Sequence, residues 1–370
     1  MPFSQESRRR VKRRGRIDIH GPLHYPRAPS DAVPRGPQNG SAEVSEEIRL
    51  GMIGVGQIGK RHVDAYQDID GARIVAVADL DEAEARRVAE QVGAQHVFTN
   101  FRELLALDEV DAVDVCLHNN FHAPVTIEAL EAGKHVYCEK PMAGSYRDAA
   151  EMLEAARRCE RLLSIQLHSL FAPETHAAER LIAEGHLGDL YYAKSSYYRR
   201  RGRPFVDGYG TKFFVQKDVA SGGALYDMGV YHIAQILHLL GNPQPQTISG
   251  ATHQKVEMYE DRRAASGYDV EELGIGLVRL DGGVTFFIEE SWAIHLGGTD
   301  GSKLVGDKGG VQLAPFGYFT TISDMEMDGT LDLKSAEWRR AQCVADTDAY
   351  QGSQNHWIAA LLGRVELLPT

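Results

Sequence analysis

Two short stretches of this chain hold residues whose types and spacing could do chemistry together. HVYCEKPMAG, residues 135–144, is an apolar, β-branched run that ends in Glu139-Lys140-Pro141. Proline cannot donate to a sheet ladder, and it biases the preceding residue towards an extended conformation. The spacing therefore predicts a strand that stops with Lys140 held at its carboxyl end. In an open α/β sheet that end borders the ligand crevice, where an ammonium can stabilise charge that develops on a reacting oxygen. The other stretch is Gly54-Val55-Gly56-Gln57-Ile58-Gly59, a G-x-G-x-x-G pattern. It follows an apolar strand, opens a helical pattern, and has Asp79 twenty residues after Gly59 at the end of the next strand. That is the context a dinucleotide-binding turn needs: glycines for the turn and close approach, a helix N-terminus for the pyrophosphate, a carboxylate for the ribose hydroxyls. Asp79 would repel a 2′-phosphate, and Leu80 beside it cannot neutralise one, so NAD is expected rather than NADP.

The elements that must position these residues follow from periodicity. From Ile48 to about residue 168, strands such as IRLGMI, RIVAVADL, AVDVCLH, KHVYCEK and LLSIQL alternate with helical patterns, several closed by glycine. Such alternation predicts βαβ units and a parallel sheet. Beyond residue 168 the texture changes. After a helical segment come YYAKSSYYRR, a helix near 225–240, and QTISGATHQ, ELGIGLVRL, GVTFFIEESWAI, SKLVGD and GGVQLA, strands in succession separated by turn residues. The expected fold class is an N-terminal α/β Rossmann domain over 47–168, followed by an α+β domain over 169–370 built on a large, mostly antiparallel sheet.

Composition sets bounds. At 370 residues with 43% hydrophobic and 25% charged residues, the chain fits two ordinary globular domains, and no stretch approaches the length of a membrane span. Residues 1–46 are basic and rich in Pro, Gly and Ser, and are expected to be disordered. They leave the acidic remainder to dominate a net charge of −12, which argues against nucleic acid as a partner. Four cysteines without paired spacing point to a reducing cytoplasm, and no metal-ligand motif is read.

At this point the residues carry a resemblance. GVGQIGKRHVDAY, DAVDVCLHNNFHAPVTIEALEAGKHVYCEKPMA and SGGALYDMGVYHIAQILHLLGNP are similar, in order, to blocks of the Gfo/Idh/MocA oxidoreductases. The resemblance implies hydride transfer between NAD(P) and a sugar, polyol or related carbonyl compound. It implies that Lys140 contacts the reacting hydroxyl, that Asp227 orients substrate, and that the residue four positions on, Tyr231, moves the proton. An i, i+4 pair shares a helix face, whereas His232 is turned roughly 100° away and stays in reserve, its intrinsic pKa better suited to proton transfer than that of Tyr. Gly54, Gly56, Gln57, Ile58, Gly59, Asp79, Asn119, His122, Glu139 and Lys140 are expected to bind cofactor.

The chain departs from the family pattern at Leu117-His118, where Thr-Pro is common, and at His168-Ser169, where an Arg is usual. It also stops at LLGRVELLPT, short of the further helix that family members usually carry, which suggests either unusual packing or truncation. His168, Arg201 within the run 199–203, and Trp292 are candidate substrate contacts. The expected partner is a small sugar or polyol, with no nucleic acid and no membrane, in a homodimer or homotetramer. Two rivals share the fold: a glycoside hydrolase that uses NAD transiently, and a non-enzymatic regulator that senses nucleotide or sugar.

Overall fold

The computed structural model of the chain describes residues 47–343 and 351–370, and the extension expected to be disordered over 1–46 lies outside them. Six strands, β1 Ile48–Ile53, β2 Ala72–Ala78, β3 His96–Phe98, β4 Ala112–Val115, β5 His135–Cys138 and β6 Leu163–Ile165, form one sheet in the order β3-β2-β1-β4-β5-β6. Every pair is parallel. The central strands β1, β4 and β5 are buried on both faces, as parallel strands covered by crossover helices require. The strand order reverses between β1 and β4, so the crevice at the carboxyl ends opens there.

The second sheet has eight strands: β7 Leu190–Tyr198, β8 Pro245–His253, β9 Leu273–Leu280, β10 Thr285–Ser291, β11 Lys303–Gly306, β12 Gly309–Leu313, β13 Phe316–Ile322 and β14 Met325–Gly329. Their order is β14-β13-β12-β11-β7-β10-β9-β8, antiparallel throughout except for the parallel pair β7–β10. The hairpin β13–β14 was not anticipated. Its turn is Ser323-Asp324, both at positive φ (51° and 61°), a primed turn made without the Asn-Gly or Asp-Gly pair that would announce it.

One helix joins the two bodies. Along Val230–Leu239, residues Val230, Tyr231 and Ala234 pack on the core of the first sheet, while Ile236 and Leu239 are buried in the core of the second. The expected boundary at residue 168 needs one amendment. The last helix, Ser353–Leu361, returns to the first domain, where Trp357 and Ile358 are buried against Leu50, Val63 and Tyr137. Ser353 Oγ accepts from Tyr137 Oη at 2.7 Å, and Thr370 Oγ1 accepts from Ile165 N at 2.9 Å on edge strand β6. A short apolar helix has the same local pattern whichever core it docks on, so its place in the chain does not show which body it completes.

Candidate active site

The glycine-rich turn lies between β1 and the helix Gln57–Tyr66. Gly54 has φ +90°, and a Cβ at Gly59 would stand 2.1 Å from Gly54 O, so both positions exclude side chains. A Cβ at Gly56 would meet nothing within 4 Å, and no side chain caps the helix. Its first amides are therefore open to an anion. Asp79 closes the far side of the turn: Oδ2 accepts from Val55 N at 2.8 Å and Oδ1 from Asp81 N at 2.9 Å. Each carboxylate oxygen keeps a lone pair for a ribose hydroxyl, while Leu80 stands 90% exposed with no cation in its place. These residues fit an NAD cofactor: Gly54 to Gly59 for the pyrophosphate, Asp79 for the adenosine ribose.

From β5 the chain delivers Lys140 to the cleft between the domains. Its Nζ lies 3.0 Å from Asp227 Oδ1 and 3.0 Å from Asp227 O, and the two side chains are only 14% and 22% exposed. Asp227 sits in one turn of π-helix, Leu225–Gly229, that runs directly into Val230–Leu239. Glu271 anchors this turn by accepting from Gly223 N at 2.8 Å and Leu225 N at 3.1 Å. Asp227 Oδ2 accepts from Trp292 Nε1 at 2.9 Å. Tyr231 lies on the same face, with Lys140 Nζ 5.1 Å from its ring centre and its hydroxyl 3.3 Å from Gln166 Oε1. Burial, then Glu139 and Asp227, push the Tyr231 phenol well above its ordinary range. The exposed ring of His168 packs on Tyr231 with centroids 4.3 Å apart.

A segment of the second domain covers this cleft. Asn119 Nδ2 donates to Ala220 O at 2.7 Å, Asn120 bonds Asp218 O, and Ser221 Oγ donates to Asn120 Oδ1 at 2.5 Å. Phe214 and Gly222 then join Lys140 and Asp227 in lining a narrow pocket.

His232 points away from Lys140, as its place one residue past Tyr231 implies: its Nδ1 lies 3.0 Å from Glu290 Oε2, and its ring stacks on Tyr197, within the second domain. Three sequence expectations need correcting. His122 is fully buried with ring nitrogens on Pro141 O at 2.7 Å and Leu117 O at 3.0 Å, so it braces the turns around the cleft and offers a cofactor no atom. Trp292 is 0% exposed, and its indole N–H holds Asp227 instead of facing the cleft. Arg201 is exposed on a separate cleft with Tyr259 and Arg262. Within the same run Arg203 is fully buried, pairing with Asp207 at 2.8 Å and Glu272 at 3.0 Å. Sequence reading missed Gln166, Glu271 and Phe214, and no local signal marks them, because each acts on a residue distant in the chain.

Comparison with known proteins agrees with this architecture. Residues 48–167 match the family model described as oxidoreductase family, NAD-binding Rossmann fold, and residues 175–312 match the GFO/IDH/MocA C-terminal domain. D-glucoside 3-dehydrogenase of Escherichia coli (strain K12) is 31% identical over 288 residues, covering 76% of this chain and 81% of that protein. The structure of GenD2 from gentamicin A biosynthesis in complex with NAD is 27% identical, with TM-score 0.63, over 75% of this chain and 74% of its own. Levoglucosan dehydrogenase in complex with NADH shares the fold at 20% identity and TM-score 0.67, over 77% of this chain and 80% of its own. Both domains match one family in the order the sequence blocks implied, and the chain belongs to the Gfo/Idh/MocA family of NAD-binding oxidoreductases.

Proposed function

We propose that this enzyme oxidises, or in reverse regenerates, a secondary hydroxyl of a pyranose glycoside or related cyclic polyol. The observation that carries the reading is the Lys140–Asp227 pair beside Tyr231, assembled from two domains at the carboxyl edge of a nucleotide-binding sheet. The likeness to a D-glucoside 3-dehydrogenase supports the substrate class. Bound NAD supplies the acceptor or donor of hydride for the carbinol carbon. The chain's own residues handle the oxygen. Lys140 donates to that oxygen as negative charge grows on it, which is where a fixed ammonium stabilises most. Asp227, pinned by Trp292, sets the direction of the Lys140 ammonium and accepts from a neighbouring hydroxyl. Tyr231, held as a neutral phenol by its buried, anionic surroundings, donates the proton in reduction; in oxidation it takes the substrate proton only after giving its own to solvent.

We further read the protein as a cytoplasmic homo-oligomer with no nucleic-acid partner. Leu277 on β9 and Phe319 on β13 leave apolar surface on the second sheet that a second copy would cover. Among the described residues no helix is long and apolar enough to cross a membrane.

The test is NADH formation with NAD⁺, and with NADP⁺ in parallel, across glycosides, free sugars and cyclic polyols. Stoichiometric NADH from one class is expected. Aglycone release without NADH would replace this reading with a hydrolase, and silence across the panel with NAD bound would favour a sensor. Lys140→Ala should lower turnover by at least ~100-fold at saturating NAD. Unchanged turnover would remove Lys140 from the site.

A further inference from the structure

Below the cleft lies a buried set of charges with no part in the steps above. The helix that opens at the glycine-rich turn carries His62 beneath the sheet, where Nδ1 lies 2.8 Å from Asp114 Oδ2 and Nε2 lies 2.9 Å from Glu139 Oε1. Asp114 is 0%, His62 4% and Glu139 8% exposed. A carboxylate only accepts, so both ring nitrogens donate and His62 is an imidazolium. The surrounding groups do not compete for that charge. Cys116 Sγ lies 3.3 Å from His62 Nδ1 and 3.2 Å from Asp114 Oδ1, and burial holds its thiol protonated, as it does the phenols of Tyr66 and Tyr137. The other carboxylate oxygen of Glu139 accepts from Lys140 N at 2.9 Å. One unbroken series of contacts thus runs from β4 through the nucleotide-binding helix to the backbone of Lys140.

We propose that His62 is a positioning residue: clamped between Asp114 and Glu139, it fixes Glu139, and Glu139 fixes the peptide from which Lys140 reaches the reacting oxygen. This rests on the reading of Lys140 given above. The physical need is plain. Two carboxylates cannot stay buried and ionised without the cation between them, and a catalytic group displaced by about 1 Å can lose on the order of 100-fold in rate. The same His62, Asp114 and Cys116 atoms lie close enough to invite a metal ion. Their spacings of 2.8, 3.2 and 3.3 Å are those of hydrogen bonds, whereas tetrahedral zinc would hold such donors about 3.3 to 3.7 Å apart.

The experiment compares wild type, His62→Asn, His62→Gln, Glu139→Gln and Lys140→Ala as full chains. Gln can still place an amide donor near the Nε2 position, towards Glu139, while Asn reaches only towards Asp114. We expect His62→Asn to lose roughly 10- to 100-fold in kcat on the best glycoside of the panel, with KM and NAD affinity within about threefold. His62→Gln should keep several-fold more. Glu139→Gln, which keeps an acceptor for Lys140 N, tests the same link if His62→Asn does not fold, and should show the same loss confined to kcat. Independently of turnover, ¹⁵N spectra of wild type should contain imidazolium signals, absent from His62→Asn, that persist to pH 9. Full kcat in both His62→Asn and Glu139→Gln, equal loss in the Asn and Gln variants, or a loss carried by NAD affinity overturns the proposal. A His62 signal titrating near pH 6.5, or stoichiometric zinc that disappears in His62→Asn, overturns it as well. Lys140→Ala separates the two levels: if that variant is active the underlying reading fails, and if it is inactive while His62→Asn is normal, only the positioning role fails.

Discussion

At the scale of single residues, the site works by surrounding a few polar groups with others that leave them one orientation. Asp227 illustrates this, since one carboxylate oxygen takes the Lys140 ammonium and the other takes the indole N–H of a fully buried Trp292. Trp292→Phe keeps the apolar body and removes that donor, leaving Asp227 to turn. We expect kcat/KM to fall about tenfold with a small change in melting temperature, in line with the loss of one hydrogen bond to a charged group. Tyr231 makes a prediction of opposite character. Its phenol is shifted upward, so it stays protonated through neutral pH and is ready to donate, whereas oxidation of substrate requires it to take a proton away. The oxidation rate should therefore climb as pH rises from 7 to 10, while reduction should not. Tyr231→Phe should lower turnover about 100-fold and flatten the climb. A flat oxidation profile in wild type would assign the proton to another group.

At the scale of elements, specificity for the cofactor rests on where β2 ends relative to the glycine-rich turn. Asp79 is tied to the turn through Val55 N and to the start of the next helix through Asp81 N, so its carboxylate cannot swing aside. A 2′-phosphate would meet that fixed charge at close range. The double change Asp79→Ser with Leu80→Arg removes the repulsion and adds a cation at an exposed position. The ratio of kcat/KM for NAD over NADP should fall at least ~100-fold, measured with both cofactors on one substrate. No change would mean that the discrimination lies elsewhere on the turn.

At the scale of the whole molecule, the first domain is completed by the last part of the chain. Trp357 is 0% exposed in the core that also holds Leu50, Val63 and Tyr137, more than two hundred residues earlier. Trp357→Ala should cost about 3–5 kcal/mol of stability, as for other large-to-small core changes. Because that core backs the nucleotide-binding helix, NAD should restore part of the lost melting temperature by binding the folded state alone. A melting temperature unchanged by Trp357→Ala would show that the helix docks without contributing to the fold. The same logic applies between domains, since Lys140 comes from the first and Asp227 from the second, and the pair exists only when Val230–Leu239 bridges both cores.

The features that sequence alone determined are those written in local order. The G-x-G-x-x-G turn with Asp79, the lysine before Pro141 and the change from alternating to successive strands concern local order, where periodicity and turn chemistry act; the Asp227-to-Tyr231 spacing gained its meaning from the family resemblance. Tertiary structure decided the rest, because those contacts join residues far apart: 52 positions between His62 and Asp114, 77 between His62 and Glu139, 65 between Trp292 and Asp227, and 216 between Tyr137 and Ser353. An isolated histidine on a helix or a tryptophan on a strand has the same local pattern whether it packs, lines a pocket or holds a carboxylate. Only the packing of one element on another, through burial and the need to pair every buried charge, selects among those roles.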